Sequence, residues 1–180
     1  MGADRGIHVP CADLRTDQEL LPLAVAKALA GVVKQEEPGM VVLGKQSIDG
    51  DYACTAPMLA GLLGWPQATM AAKIDVEAGA SKMTVERETD AGTETIEVNL
   101  PCVVSADLRL NTPRYPKLPN IMKAKKKPLD VIEAADLGVD LADGRLTIVE
   151  VVSPPERAGG ETVADVPELV EKLKARGALV

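Results

Sequence analysis

Residues 40–49 read Met40-Val41-Val42-Leu43-Gly44-Lys45-Gln46-Ser47-Ile48-Asp49, a continuous apolar run that passes directly into a polar loop. Four apolar residues without alternation predict a strand that is buried on both faces of a parallel sheet. The loop extends to Cys54, and Thr55-Ala56-Pro57 then predicts a helix to about Leu63, because proline suits the first turn of a helix. A strand, a loop and a helix in this order are typical of an open α/β sheet.

The segments on either side extend this pattern. Apolar residues at helical spacing predict a helix over 17–35, which Thr16 or Asp17 can cap and which Pro38-Gly39 ends. Asp90-Ala91-Gly92 is a plausible hairpin turn between two strands. Further strands are predicted at 6–9, 71–76, 82–88, 93–98, 102–104 and 146–152. Pro154-Pro155 then begins an extended linker, and the last helix, 167–176, carries Leu169, Val170 and Leu173 on one face.

Composition excludes several classes of function. The 180 residues carry 27 acidic and 20 basic side chains, a net charge of −7, and only 2% aromatic residues, so a nucleic-acid-binding protein is not expected. The single histidine, His8, and three cysteines without a CxxC pair predict neither a metal site nor a catalytic residue. No apolar run approaches the roughly 20 residues of a membrane span, so membrane insertion is not expected.

The loop after residue 43 is the first candidate site. In open α/β sheets, ligands bind beyond the carboxyl ends of the strands, and the free amides at the start of the following helix can hold a phosphate. The spacing of Gly39, Gly44 and Lys45 meets that of a Walker loop, but the residues between the glycines are strand residues, and Gln46 replaces the hydroxyl that Mg²⁺ requires. We therefore predict no NTP hydrolysis. An ordinary crossover loop remains an equal alternative.

A basic segment, residues 118–128, is unusual in an acidic chain. It reads Leu118-Pro119-Asn120-Ile121-Met122-Lys123-Ala124-Lys125-Lys126-Lys127-Pro128. One interpretation is a short helix whose terminal lysines complement the helix dipole. The other is a docking loop, in which prolines pre-set the backbone and present Leu118 to a pocket on an acidic partner. The composition does not favour either interpretation.

Four stretches together resemble the beta subunit family of the electron transfer flavoproteins. They occur in the order and at nearly the spacing of that family, and the likeness covers essentially the whole chain. The stretches are Leu43-Gly44-Lys45-Gln46-Ser47-Ile48-Asp49, Val85-Glu86-Arg87-Glu88, Ala106-Asp107-Leu108-Arg109-Leu110-Asn111 and residues 118–127.

The resemblance implies an adenine nucleotide α-hydrolase-like open parallel sheet, incomplete at the N-terminus, with a C-terminal extension. Residues 1–128 are expected to form the nucleotide-binding domain, and 129–180 to pack on an alpha subunit. The heterodimer is expected to hold one FAD, mainly through the alpha subunit, and one structural AMP in the beta subunit. The resemblance further implies that the heterodimer accepts electrons from acyl-CoA and related dehydrogenases in fatty acid β-oxidation and passes them to a quinone oxidoreductase. The expected compartment is the mitochondrial matrix, or alternatively a bacterial cytoplasm.

The resemblance also assigns roles to residues, none of them catalytic. Leu118 is the anchor that enters a dehydrogenase pocket, with Pro119, Ile121 and Met122 beside it. Lys123 and Lys126 match lysines that are methylated in some members. Glu88 matches an acidic residue that pairs with an arginine of the mobile flavin domain, the alternative being a solvated strand carboxylate. The AMP loop comprises Gly44, Lys45, Gln46, Ser47, Ile48, Asp49, Gly50, Asp51, Tyr52, Ala53, Cys54 and Thr55.

Two departures from the family pattern affect this interpretation. The family has amide side chains where this chain has Ala53 and Cys54, which removes hydrogen-bond donors for a phosphate or a ribose. Roughly the first third of the family's chain also has no counterpart here. The alternatives are therefore a truncated subunit that has lost AMP binding, or a stand-alone adenine-nucleotide-binding module.

Overall fold

The computed structural model describes residues 2–11, 20–141 and 149–179, which belong to two compact units divided between residues 147 and 148. In the first unit the described elements are, in chain order, β1 (Gly6–His8), α1 (Pro22–Glu36), β2 (Met40–Gly44), α2 (Thr55–Leu63), β3 (Gln67–Asp75), β4 (Lys82–Thr89), β5 (Gly92–Asn99), β6 (Cys102–Ala106), α3 (Leu118–Ala124), β7 (Leu129–Val131) and a 3₁₀ turn (Ala134–Leu137). The second unit contains α4 (Val166–Ala175).

The main sheet is open and mixed, with the strand order β2-β6-β3-β4-β5. The pairs β2–β6 and β6–β3 are parallel, whereas β3–β4 and β4–β5 are antiparallel. Thr89 pairs with Gly92 across a two-residue turn, and the positive φ of Gly92, 126°, is one that residues with a Cβ avoid. The predicted open α/β fold and the predicted hairpin are confirmed.

The position of β2 within the sheet differs from the prediction. Among the described strands, β2 pairs only with β6 and forms one edge, and Val42 is 54% exposed. The central parallel strand is β6, of which Cys102, Val103, Val104 and Ser105 are all buried. The prediction that 40–43 is buried on both faces is wrong, because an apolar run indicates a strand and not the number of its neighbours.

Two hydrophobic clusters form on β6, because alternate residues of a strand point to opposite faces. Val103 packs with Leu59 and four alanines of α1 and α2 (Ala26, Ala30, Ala56 and Ala60). These small side chains let the two helices lie close to the sheet. Cys102 and Val104 belong to the second cluster, whose other buried members come from β3, β4 and β5: Ala68, Ala71, Met83, Val85 and Val98.

Helix α1 begins at Pro22, later than the predicted residue 17, and Leu21 is its N-cap. The predicted caps Thr16 and Asp17 lie outside the described residues. At the other end, Glu37 adopts a left-handed conformation and donates its backbone N–H to the Val33 carbonyl, directly before Pro38. The predicted end of this helix is therefore confirmed, since proline cannot continue the helical hydrogen bonding.

Strand β1 belongs to a separate parallel sheet, in which Gly6 pairs with Leu129 and His8 with Val131 of β7. Arg5, the residue directly before β1, links this sheet to α1. Its guanidinium forms ion pairs with Glu36, and with Asp130 at 3.4 Å. The amino-terminal segment is thus attached to the chain that follows α3.

The second unit has little regular structure. Residues 149–163 form neither helix nor strand, so the strand predicted over 146–152 is wrong for 149–152, and its first three residues lie outside the described residues. Helix α4 agrees with its prediction to within one residue at each end. The side chain of the N-cap Asp165 accepts the Glu168 backbone N–H at 2.9 Å, and the Glu168 side chain accepts the N–H of Ala164, the residue before the N-cap, at 2.8 Å. The functional division predicted after residue 128 stays a prediction.

Candidate functional site

The candidate loop leaves the sheet where two parallel strands end side by side. Gly44, the last residue of β2, pairs with Ala106, the last residue of β6. The next residues, Lys45 and Asp107, form an ion pair of 3.5 Å between Nζ and Oδ2. The Asp107 side chain is only 10% exposed, so Lys45 balances a carboxylate that is largely removed from water. This pair anchors the start of the loop to the central strand.

Hydrogen bonds within the loop hold it in a compact turn. Gln46 donates its side-chain amide to Asp51 Oδ1 at 2.9 Å, and the Asp51 backbone N–H donates to the Ser47 carbonyl at 3.1 Å. The Ser47 hydroxyl and the backbone amides of Asp49 and Gly50 donate to the Asp49 carboxylate, which lowers the pKa of Asp49. The loop therefore carries a stabilised negative charge near its tip.

The second half of the loop has an unusual backbone. Asp51 and Ala53 have φ values of 52° and 51°, in the left-handed region. Alanine lacks the polar side chain with which asparagine stabilises this conformation, so Ala53 is strained. At Gly50 an added Cβ would lie 2.8 Å from Tyr52 Cδ2, so a larger residue would require the exposed tyrosine ring to move. Ile48 and Tyr52 are exposed.

Helix α2 presents few donors to a ligand. The first intrahelical bond runs from the Met58 N–H to the Cys54 carbonyl, which leaves the amides of Thr55 and Ala56 free of helical partners. Pro57, the next residue, has no N–H, and Cys54 makes no capping hydrogen bond through its side chain. The loop can therefore offer an anion two helix amides and the Lys45 ammonium, rather than a full set of donors.

A bulge beside the loop was not predicted. Between Ala68 and Ala71 the register of β3 against β6 shifts, and Met70 has a φ of 58°. Ser105 Oγ accepts the displaced Met70 N–H at 3.0 Å, while Arg87 donates to the Thr69 carbonyl at 3.0 Å and to Thr69 Oγ1 at 2.7 Å. The available signal is the position of Arg87, which lies on the same face of β4 as the buried Met83 and Val85 and therefore points inward.

Glu88 has a partner within its own chain. Arg109 donates to Glu88 Oε1 at 2.8 Å, and the Glu88 side chain is 25% exposed whereas that of Arg109 is 74% exposed. The pair joins the loop after β6 to the end of β4. The Glu88 carboxylate is thus partly exposed and paired with Arg109. The role that the resemblance assigns to Glu88 stays a prediction.

Helix α3 lies on the surface, and none of its residues is buried. Leu118 and Met122 are 71% and 52% exposed, Pro119 is exposed, and Ile121 is half-buried. Lys117 is the N-cap and Pro119 lies in the first turn, so Leu118 is held at the start of a short helix. The two interpretations of the basic segment are compatible, because the segment is a short helix that also presents an apolar side chain.

The predicted site residues form separate groups. Lys45 meets Asp107 and Glu88 meets Arg109, but within the described ranges no hydrogen bond or ion pair joins loop 44–55 to α3. Across residues 2–11, 20–141 and 149–179, no group of three His, Cys, Asp or Glu residues could hold a metal ion. None of the described helices combines the length and apolarity needed to cross a membrane.

The fold and these groups define an open α/β domain with a polar loop at the carboxyl end of its sheet and an exposed basic helix. Residues 1–137 match the family model described as the electron transfer flavoprotein domain. The mitochondrial electron transfer flavoprotein beta subunit of Arabidopsis thaliana is 50% identical over 174 residues, 97% of this chain and 67% of that protein. The beta subunit of Bos taurus is 51% identical over 179 residues, 98% of this chain and 68% of that protein.

The chain therefore belongs to the electron transfer flavoprotein beta subunit family. The human beta subunit, 50% identical over 177 residues, supports the same conclusion. Family membership makes the chain an electron transfer protein, implies that a flavin takes part, and implies an alpha subunit as its partner. The resemblance stated from the sequence is confirmed.

Proposed function

We propose that this chain docks acyl-CoA dehydrogenases through α3 and carries their electrons to a quinone oxidoreductase by way of an FAD held mainly by the alpha subunit. The observation that supports this proposal is the exposure of Leu118, which is 71% accessible on a helix with no buried residue. An apolar side chain held in water beside lysines is suited to a partner pocket with an acidic rim. FAD supplies the redox chemistry, and the chain's own residues bind and orient its partners.

The remaining roles follow from the same family. We propose that residues 129–180 pack on the alpha subunit, for which the half-exposed apolar side chains of α4 are suited.

Methylation of Lys123 and Lys126 would keep their charge and remove hydrogen-bond donors, which tunes docking. Glu88 would exchange Arg109 for an arginine of the flavin domain. The proposed compartment is the mitochondrial matrix, with fatty acid β-oxidation as the source of electrons; three plant relatives are named mitochondrial.

The docking proposal is tested by Leu118→Ala. Loss of a buried anchor removes about 1.5–3 kcal/mol of binding free energy, so we expect the rate of electron acceptance at sub-saturating carrier to fall roughly ten- to hundredfold. The measurement is steady-state reduction of the heterodimer by an acyl-CoA dehydrogenase. Leu108→Ala is the matched control, because Leu108 is 88% exposed outside α3. Equal rates for wild type and Leu118→Ala would refute the proposal.

We also propose that loop 44–55 binds AMP, and that it does so less tightly than in relatives with amide side chains at positions 53 and 54. Lys45 and the amides of Thr55 and Ala56 are the available donors for a phosphate. Asparagine tolerates the left-handed conformation of residue 53 better than alanine, so an amide there would both relieve strain and add a donor.

This proposal is tested by the double variant Ala53→Asn/Cys54→Gln. We expect the variant to retain several times more AMP than wild type, measured as nucleotide released from the denatured heterodimer. Leu108→Ala, which removes an exposed side chain outside the loop, should leave the amount unchanged. Stoichiometric AMP in the wild type would contradict weakened binding. Colourless monomer with bound nucleotide would instead favour a stand-alone nucleotide-binding module.

A further inference from the structure

A cleft of about 670 Å³ lies between the amino-terminal segment and the end of α3, and Gly6 of β1 and Leu129 of β7 are among its lining residues. Four cationic side chains line it, and none of its lining residues is acidic. Its cations are Arg5, Lys123, Lys125 and Lys127, and Asn120 and Leu129 lie beside them. A cleft of this size is in the range of small-molecule sites and exceeds what one inorganic ion requires.

The charges in the cleft are unevenly balanced. Arg5 is held by Glu36 and Asp130, and Lys127 lies 3.4 Å from Asp4. Lys123 and Lys125 form no ion pair with any residue in the described part of the chain. Two ammonium groups without counter-charge thus face a cleft that also holds a fixed guanidinium, in a protein of net charge −7. Such an arrangement attracts a multivalent anion.

The basic segment is divided between two surfaces. Lys123, Lys125 and Lys127 line the cleft, whereas Lys126 does not, and neither do the exposed apolar residues Leu118 and Met122. Docking through Leu118, with the roles proposed for Lys123 and Lys126, therefore does not account for Lys125 and Lys127. No residue of loop 44–55 lines the cleft either, so it is distinct from the proposed AMP site.

We propose that this cleft binds a phosphorylated small molecule that carries at least two negative charges. Ammonium groups bind phosphate oxygens through charge-assisted hydrogen bonds, and Lys123 and Lys125 have no ion-pair partner in the described part of the chain to compete with the ligand. The Asn120 amide adds a donor, and Leu129 with the adjacent Pro128 supplies an apolar wall for the rest of the molecule. The proposal does not depend on dehydrogenase docking or on AMP binding.

The test is calorimetric titration of the full chain, in its complex with the alpha subunit, with pyrophosphate as the probe. We expect saturable binding at one site, and at least about a tenfold loss of affinity in Lys123→Ala/Lys127→Ala, because each charge-assisted contact is worth a severalfold factor. Lys126→Ala is the matched control: it removes one charge from the same segment, but Lys126 does not line the cleft, so the loss of affinity should be clearly smaller than in the double variant.

Three outcomes would overturn the proposal. They are the absence of saturable binding at millimolar pyrophosphate, an equal loss of affinity in Lys126→Ala, or a pyrophosphate affinity that Lys45→Ala alone abolishes, which would place the anion in loop 44–55. If the double variant fails to fold by circular dichroism, Lys125→Ala is the second test and should weaken binding severalfold. Electron acceptance from a dehydrogenase is not the readout, so failure here is distinguishable from failure of the docking proposal.

Discussion

Strand β6 and helix α3 are both short, but their relation to the rest of the chain is opposite. Four of the five residues of β6 are buried, whereas no residue of α3 is. The residues of β6 form parts of two hydrophobic clusters, and their apolar character is explained by folding alone. Leu118 and Met122 contribute nothing comparable to the stability of this chain. Their apolar character is therefore better explained by contacts with another molecule.

The largest expected difference between the two regions is in unfolding free energy. Leu59→Ala removes a fully buried side chain from the cluster on Val103 and should destabilise the chain by about 2–5 kcal/mol. Leu118→Ala removes the same atoms from a surface position and should change stability by less than about 0.5 kcal/mol. Urea denaturation followed by circular dichroism measures both. Similar losses in the two variants would mean that α3 is packed in solution.

A smaller difference in unfolding free energy is expected between variants of Arg87 and Arg109, each of which forms an ion pair with a glutamate. Arg87 also donates to the Thr69 carbonyl in the bulge, and its side chain is 28% exposed. Arg87→Met leaves that carbonyl unsatisfied and should cost about 1–3 kcal/mol. Arg109→Met breaks only the exposed pair with Glu88 and should cost about 0–1 kcal/mol. Urea denaturation measures both variants. An equal loss of unfolding free energy in the two would show that Arg87 does not stabilise the bulge.

The smallest contribution to stability is expected from the capping hydrogen bonds of Glu168 at the start of α4, a helix with no buried residue. The Ala164 backbone N–H and then Lys172 lower the pKa of Glu168. A lowered carboxylate pKa favours the capped helix above the ordinary glutamate range, and this contribution is lost as the pH falls through the lowered value. The Ala164 amide chemical shift should therefore titrate below the usual range of glutamate. Glu168→Gln should abolish that transition, and a titration at the ordinary value would show that the cap is absent.

The sequence predicts those features of the fold that are local. The Asp90-Ala91-Gly92 turn depends on a few adjacent residues, and so does the end of α1 before Pro38; both are where the sequence indicates. The position of β2 at the edge of the sheet was missed, because apolarity does not reveal which strands pair. The order of strands depends on contacts between residues that are far apart in the chain.

The site was predicted unevenly for the same reason. The exposure of Leu118 is expected from one of the two interpretations of the basic segment, which the composition alone does not decide, and from the resemblance. The pair Lys45–Asp107 joins residues that follow two different strands, and it depends on the pairing of β2 with β6, which neither strand's own sequence indicates. The bulge at Met70 carries no glycine that would have indicated a left-handed residue. Only the inward position of Arg87 was available as a signal.

The small sheet β1–β7 has a consequence for dynamics. Only three residues of each strand pair, and the two strands are far apart in the sequence of the first unit. Two hydrogen bonds flank the pairing, one from the Gly6 N–H to the Pro128 carbonyl and one from the Ile132 N–H to the His8 carbonyl. Because the sheet has so few hydrogen bonds, it can open locally without global unfolding. The Gly6 and Ile132 amides should therefore exchange with solvent deuterium far sooner than the buried Val103 amide. Because the cationic cleft is built on this sheet, an anion bound there would slow exchange at both amides and prolong the attachment of the amino-terminal strand.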